Sequence, residues 1–140
     1  MYEIVPFKIK HLELMDVRSH EQQFTSDKNL INKIMDASVA WTGIANNKII
    51  CCWGYIVGES GIANLWLIPS IYMKDMRLSF FRKVKEVMER TSQNFSIMHT
   101  CCKNDILHAR WMKFLGFKQI GILENFWAGN DYVLWGKNGA

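Results

Sequence analysis

Residues 105–117 read Asp-Ile-Leu-His-Ala-Arg-Trp-Met-Lys-Phe-Leu-Gly-Phe. The stretch predicts a helix from Ile106 to Leu115, capped by Asn104-Asp105 and stopped at Gly116, because Asn and Asp cap helix starts and glycine tolerates the left-handed residue that ends one. Trp111, Met112, Leu115 and Phe117 are the residues that would pack this helix on a sheet. A sheet is announced on both sides of it. Phe95 to Cys102 is a short apolar strand, and FKQIGILENFW and DYVLWGK form a closing hairpin around Ala128-Gly-Asn-Asp131.

Upstream, YEIVPF at 2–7 reads as a first strand, followed by Leu12, Met15 and Val17 at helical spacing. After a polar loop at Arg18–Glu21, Thr25 or Ser26 can cap a second helix whose apolar face is Leu30, Ile31, Ile34 and Met35, ending near Ser38. From Val39 the period changes. VAWTGIA, Asn46-Asn47, KIICCWGYIV, Gly58-Glu-Ser-Gly61 and IANLWLI read as three strands of a meander, since Asn and Gly accept the positive φ of tight turns. Pro69 closes the third, and Leu78 to Met88 carry a helical pattern. The order β α α β β β α β α β β is that of one α/β domain, 1–140, with a mixed sheet of about six to seven strands and about four helices.

With 140 residues, 49% of them hydrophobic, the chain has room for one well-packed core. No apolar run reaches the roughly 18 residues of a membrane span, and Met1–Lys10 lacks a secretory h-region, so we expect a cytoplasmic protein with no membrane partner. In that compartment the thiols stay reduced. Cys51-Cys52 and Cys101-Cys102 are adjacent pairs on strands, so each pair splits between the two faces of the sheet. Without C-x2-C spacing they read as small buried hydrophobes, and no metal is expected. The net charge of +4 is concentrated in Tyr72–Arg90, which holds six bases (Lys74, Arg77, Arg82, Lys83, Lys85, Arg90) against Asp75, Glu86 and Glu89. Such a helix is a solvated face or meets a polyanion. Phe80 and Phe81 alternate with apolar partners and read as buried, which removes the stacking platform a nucleic-acid surface needs.

The helix at 105–117 resembles the N-x-x-A-x-x-L-Y-x-K-x-G-F helix of the GNAT N-acyltransferases, and the element order is theirs. Gly116-Phe117 match the G-F, Lys113 lies near the K position, and Asn104 or Asp105 stands for the leading Asn. More narrowly, His108-x-Arg110-Trp111-Met112-Lys113-x-x-Gly116 resembles small GNAT-like proteins of tailed phages and prophages, the podovirus internal virion protein A group among them. The resemblance implies a GNAT-like acyl-CoA N-acyltransferase fold and an N-acetyltransferase that takes acetyl-CoA and an amine of a protein or small molecule, as monomer or homodimer. The alternative is a GNAT-shaped binding or virion-associated module.

In that family acyl-CoA lies where the fourth and fifth strands splay, with pantetheine paired to the fourth strand's backbone. Here this implies Trp66, Leu67 and Ile68. The pyrophosphate then sits on the next helix start, where N–H groups and the dipole favour anions. The family's loop there is glycine-rich, whereas this sequence reads SIYMKDMRLS after Pro69. Lys74 and Arg77, with Asp75 and Met76 between them, are the candidates to replace backbone cradling, and Asn104 is a further cofactor candidate. A Tyr of the last helix commonly reprotonates the thiolate. Seven residues after Asp105 stands Met112, which has no proton to give. His108, one turn earlier, and His99, on the preceding strand, are the candidate acid–base groups, with packing roles as the competing reading. Glu59, and Glu21 with Arg18, are candidates for the acceptor side.

Overall fold

The computed structural model describes residues 2–18, 29, 31, 32, 39–58 and 60–138. Its elements are β1 (Tyr2–Pro6), α1 (Ile9–Leu14), β2 (Val39–Ala45), β3 (Lys48–Val57), β4 (Ile62–Pro69), a 3-10 turn (Met73–Asp75), α2 (Leu78–Thr91), β5 (Ser96–Cys102), α3 (Ile106–Phe114), β6 (Lys118–Trp127) and β7 (Asn130–Lys137). The seven strands form one mixed sheet in the order β1-β2-β3-β4-β5-β7-β6. The chain divides into two compact units, Met1–Val57 with Leu65–Met76, and Gly58–Asn64 with Arg77–Ala140.

In the first unit β1, β2 and β3 pair antiparallel, with Pro6 opposite Trp41 and Thr42 opposite Cys52. Asn46 and Asn47 turn β2 into β3 at φ 51° and 62°, the left-handed pair that a tight hairpin demands. Side chains alternate along β3. Cys52 joins Leu12 and Met15 of α1 and Ile68 of β4 in a core cluster, with Phe7, Ile9 and Trp66 packed against it. Cys51, Trp53 and Tyr55 point to the opposite face, where Trp41 stacks on Trp53 at 6.0 Å. Each adjacent cysteine pair is therefore split between faces; all four thiols are free, three of them buried. Val17 was expected in the first helix. Instead that helix ends at Leu14, and Val17 bridges to Ser70 while Ile71 donates its N–H to Asp16 O at 2.9 Å. The expected second helix, with its Thr25 or Ser26 cap and its face at Leu30, Ile34 and Met35, lies outside the described residues, as do Glu21 and Glu59. Asn29, Ile31 and Asn32 are helical.

In the second unit Ile62, Ala63 and Asn64 of β4 pair parallel with Ser96, Ile97 and Met98 of β5. β5 pairs antiparallel with β7, and β7 with β6. The amphipathic α2 buries Phe80, Phe81, Val84, Val87 and Met88 and leaves Arg82, Lys83, Glu86, Glu89 and Arg90 exposed, as its spacing predicted, except that Leu78, the first apolar residue of the pattern, is exposed at the helix start. Phe81 lies against Trp111 and Phe114 of α3 at 6.5 and 5.9 Å. The end of α3 is built as expected. Gly116 sits at φ 94°, Phe117 donates to Met112 O at 3.0 Å and Gly116 to Lys113 O at 3.1 Å. Lys137 of β7 adds a bond to Leu115 O at 2.8 Å. Burial, then repulsion from Lys85, lowers the Lys137 ammonium, against the pull of Glu89 at 3.6 Å.

Candidate active site

The two histidines singled out in the sequence come together. β5 aims His99 at the face on which α3 packs, and the first turn of α3 carries His108, so the two Nε2 atoms stand 2.9 Å apart with rings nearly stacked. Both are buried. At that separation one nitrogen donates and the other accepts. Asp105 caps α3: its Oδ1 accepts the His108 backbone N–H at 3.1 Å and its Oδ2 lies 3.7 Å from His108 Nδ1. A carboxylate on that side favours the proton on Nδ1, which leaves His108 Nε2 to accept from His99 in the neutral pair. The result is a chain Asp105–His108–His99 crossing from helix to strand, with Trp111 tilted over His108 at 5.7 Å. Asp105 was legible as a cap but not as a partner of histidine. The signal that would have found it is the i,i+3 spacing of Asp105 and His108 across a helix start.

Met112, in the slot where a tyrosine was expected to donate, is fully buried. Asn104 is exposed in the turn before α3 and contributes its carbonyl to Ile106, so Asp105 and not Asn104 caps the helix.

On β4, Leu67 and Ile68 are buried and Trp66 is half-buried. The Trp66 indole stands over Gly54 of β3 and meets Phe7 edge-on at 5.3 Å. Its Nε1, like that of Trp53, is buried and finds no acceptor among the described residues. The Trp66 side chain therefore belongs to the core.

After Pro69 the chain uses its own donors. Ser70 donates to Ile50 O, Ile71 to Asp16 O, Tyr72 to Ser70 Oγ, Met73 to Ser70 O, Asp75 to Tyr72 O and Met76 to Met73 O. Tyr72 is further held by its hydroxyl on Asp16 Oδ2 at 2.9 Å, a bond that raises the phenol. These six N–H groups are therefore already bonded within the chain rather than turned outward as a nest. Lys74 and Asp75 are exposed on the 3-10 turn, and Met76 is half-buried. Arg77 is exposed at the N-cap of α2, and no side chain caps that helix start.

In the first unit a second polar chain runs from backbone to thiol. His11 Nδ1 receives the Lys8 N–H at 3.1 Å and the Thr42 hydroxyl at 2.7 Å, while Thr42 Oγ1 lies 3.4 Å from Cys52 Sγ. Burial and then Lys8 lower the His11 imidazole, and burial drives the Cys52 thiol up to about 12. Neither is poised as a nucleophile or a donor at neutral pH. Among the described residues no three His, Cys, Asp or Glu side chains converge on a metal position, and no helix is long and apolar enough to cross a membrane.

A comparison of the sequence with protein-family models gives no match, and neither does one with curated proteins. The fold does have counterparts among solved structures. The Bacillus subtilis acetyltransferase in complex with CoA is similar with a TM-score of 0.75 at 12% identity, covering 99% of this chain and 99% of that one. This chain has the GNAT acetyltransferase fold. A GNAT-family acetyltransferase of Bacillus cereus is similar with a TM-score of 0.74 at 17% identity, covering 100% and 99%. The Escherichia coli ribosomal-protein-S18-alanine N-acetyltransferase is similar at 0.71 and 12%, covering 100% and 95%. The GNAT fold thus accounts for the whole chain, and at these identities the likeness is one of fold.

Proposed function

We propose that this chain, as a single domain, is an acetyl-CoA-dependent N-acetyltransferase acting on an amine of a protein or small molecule. The observation that carries the reading is the end-to-end GNAT fold, matched over nearly all of its length by a structure in complex with CoA. Pantetheine would pair with the backbone of Trp66, Leu67 and Ile68, because the side chains there are committed to packing. Lys74 and Arg77, exposed and flanking Asp75 and Met76, would contact phosphate, Arg through its planar fork and Lys as a point charge. Asn104 would contribute from the turn before α3. In the reaction the amine nitrogen attacks the thioester carbonyl carbon, the C–S bond breaks, and the sulfur must gain a proton while nitrogen loses one. His99 and His108 share a hydrogen-bonded proton and are the groups able to move it, with Asp105 holding the imidazole of His108. The His108–Gly116 pattern supports a phage or prophage source, and the composition supports work in the host cytoplasm.

A second reading, a GNAT-shaped binding or virion-associated module without transfer, is favoured by the burial of Met112 and by the internal bonding of the phosphate loop. A thiol-release assay with acetyl-CoA and a panel of primary amines separates the two. Amine-dependent release of CoA, weakened in the Lys74→Ala/Arg77→Ala double variant, is expected. Release that no amine stimulates, from protein that binds acetyl-CoA, would leave the second reading in its place.

A further inference from the structure

The tip of the β6–β7 hairpin differs from the rest of the chain. From Gln119 to Gly136 there is no Lys or Arg, while Glu124 and Asp131 are both present, in a protein of net charge +4. Three aromatic rings gather there. Phe126 and Trp127 lie 5.5 and 6.4 Å from Tyr132, tilted by 55° and 58°, and Phe126 and Trp127 remain 56% and 45% exposed. Tilted rings offer faces rather than a flat stack, and the face of an aromatic ring carries the negative part of its quadrupole. The backbone holds them in place: Asn125 and Ala128 adopt φ 45° and 54°, and Asp131 Oδ1 accepts the Asn125 N–H at 2.9 Å. Pairing with another strand is a poor use of this edge, because β6 breaks register between Gln119 and Gly121 and again between Leu123 and Trp127.

The tip also stands near chemistry already described. Tyr132 is the register partner of Cys102, the last residue of β5, and Asp131 O accepts the Lys103 N–H at 2.9 Å; Asp105 begins α3 two residues later. Aromatic faces and two carboxylates with no intervening base make a field that favours a cation.

We propose that Phe126, Trp127 and Tyr132, with Glu124 and Asp131, bind the ammonium or guanidinium group of a cationic ligand. This deepens the acetyl-transfer reading and rests on it in one respect, the assignment of that ligand as the acceptor, a compound with a positive group besides the amine that reacts. Lys103 meets Asp131 through its backbone N–H, which leaves the Asp131 carboxylate to Asn125 and to the ligand.

The test uses tetramethylammonium chloride as probe and the indole resonances of the full chain in amide NMR, with Trp127 identified by its loss in Trp127→Phe. Millimolar tetramethylammonium is expected to shift the Trp127 indole and the Asn125 and Tyr132 amides, with sodium chloride at equal strength inert. Choline should shift the same resonances, and its neutral isostere 3,3-dimethyl-1-butanol should bind about tenfold more weakly than choline. Trp127→Ala should weaken the cation by about tenfold, and Glu124→Gln/Asp131→Asn, which keeps the bond to Asn125, by several-fold. The other spectral peaks report that each variant is folded. Equal binding of the neutral isostere, shifts that survive Trp127→Ala, no shift at all, or concentration-dependent broadening without cation, as from a self-association surface, would overturn the assignment. Because acetyl-CoA is absent from this titration, its outcome is independent of whether the chain transfers acetyl groups.

Discussion

At Gly54 of β3 one added methyl would run into the ring of Trp66. The glycine's backbone is one any residue adopts, so alanine there meets no conformational penalty, and the smaller entropy of the unfolded chain would favour alanine by about 0.5–1 kcal/mol. The native neighbours oppose it. A Cβ at Gly54 would stand 2.7 Å from Cε2, Cζ2 and Nε1 of Trp66, closer than carbon atoms tolerate, and Trp66 is itself backed by Phe7 at 5.3 Å. Forcing a well-packed side chain aside costs about 1–3 kcal/mol, so Gly54→Ala should lose about 1–2 kcal/mol net. In a domain of this size that lowers Tm by about 3–6 °C. Urea denaturation followed by circular dichroism, run on Gly54→Ala, Trp66→Ala and the double variant, isolates the contact. With the indole gone, Gly54→Ala should become neutral or stabilising by about 0.5 kcal/mol. An equal cost in both backgrounds, or none in either, would refute the packing of Trp66 over Gly54, and with it the claim that β4 offers a ligand its backbone only.

Three further outcomes follow from the two units. Replacing His108 by Ala removes the ring partner of His99 and should cost about 1–3 kcal/mol, with a double-mutant cycle against His99→Phe giving a coupling of about 1 kcal/mol in urea melts. His11 has its imidazole lowered in the folded state, so the native protein binds fewer protons than the unfolded chain. The stability this contributes is complete above the unfolded value near 6.5 and is lost as pH falls through the folded one; His11→Gln should lose less stability than wild type between about pH 7.5 and 5.5. Among the cysteines, half-buried Cys102 should react with iodoacetamide at least about a hundredfold faster than Cys51 and Cys52, whose thiols burial pushes up, as peptide mass spectrometry would show.

What could be read from the residues alone was local. Asn46-Asn47 announces its own turn because both residues tolerate positive φ, α2 announces its buried face by spacing, and Gly116 announces the end of α3. What escaped depends on partners far along the chain. Val17 leaves the first helix for a bridge to Ser70, more than fifty positions away, and nothing in its own neighbourhood encodes that choice. Lys137 completes the end of α3 from β7, and the two register breaks of β6, one beside Gly121 and one containing Asn125 at φ 45°, become visible only in its pairing to β7. For the site, the sequence pointed to His99 and His108 separately. Their hydrogen bond, and the place of Asp105 behind it, exists only once α3 lies on β5.

The central claim, that this GNAT fold holds acetyl-CoA along β4 and on the loop leading to α2, is tested most directly by titrating the 15N-labelled protein with acetyl-CoA and following backbone amides. Saturable shifts centred on Trp66–Ile68 and on Lys74–Arg77, reduced in Lys74→Ala/Arg77→Ala, are the predicted result. No shift at about 1 mM acetyl-CoA, a concentration at which even a Kd in the high micromolar range would show, or shifts confined to residues elsewhere, would contradict it.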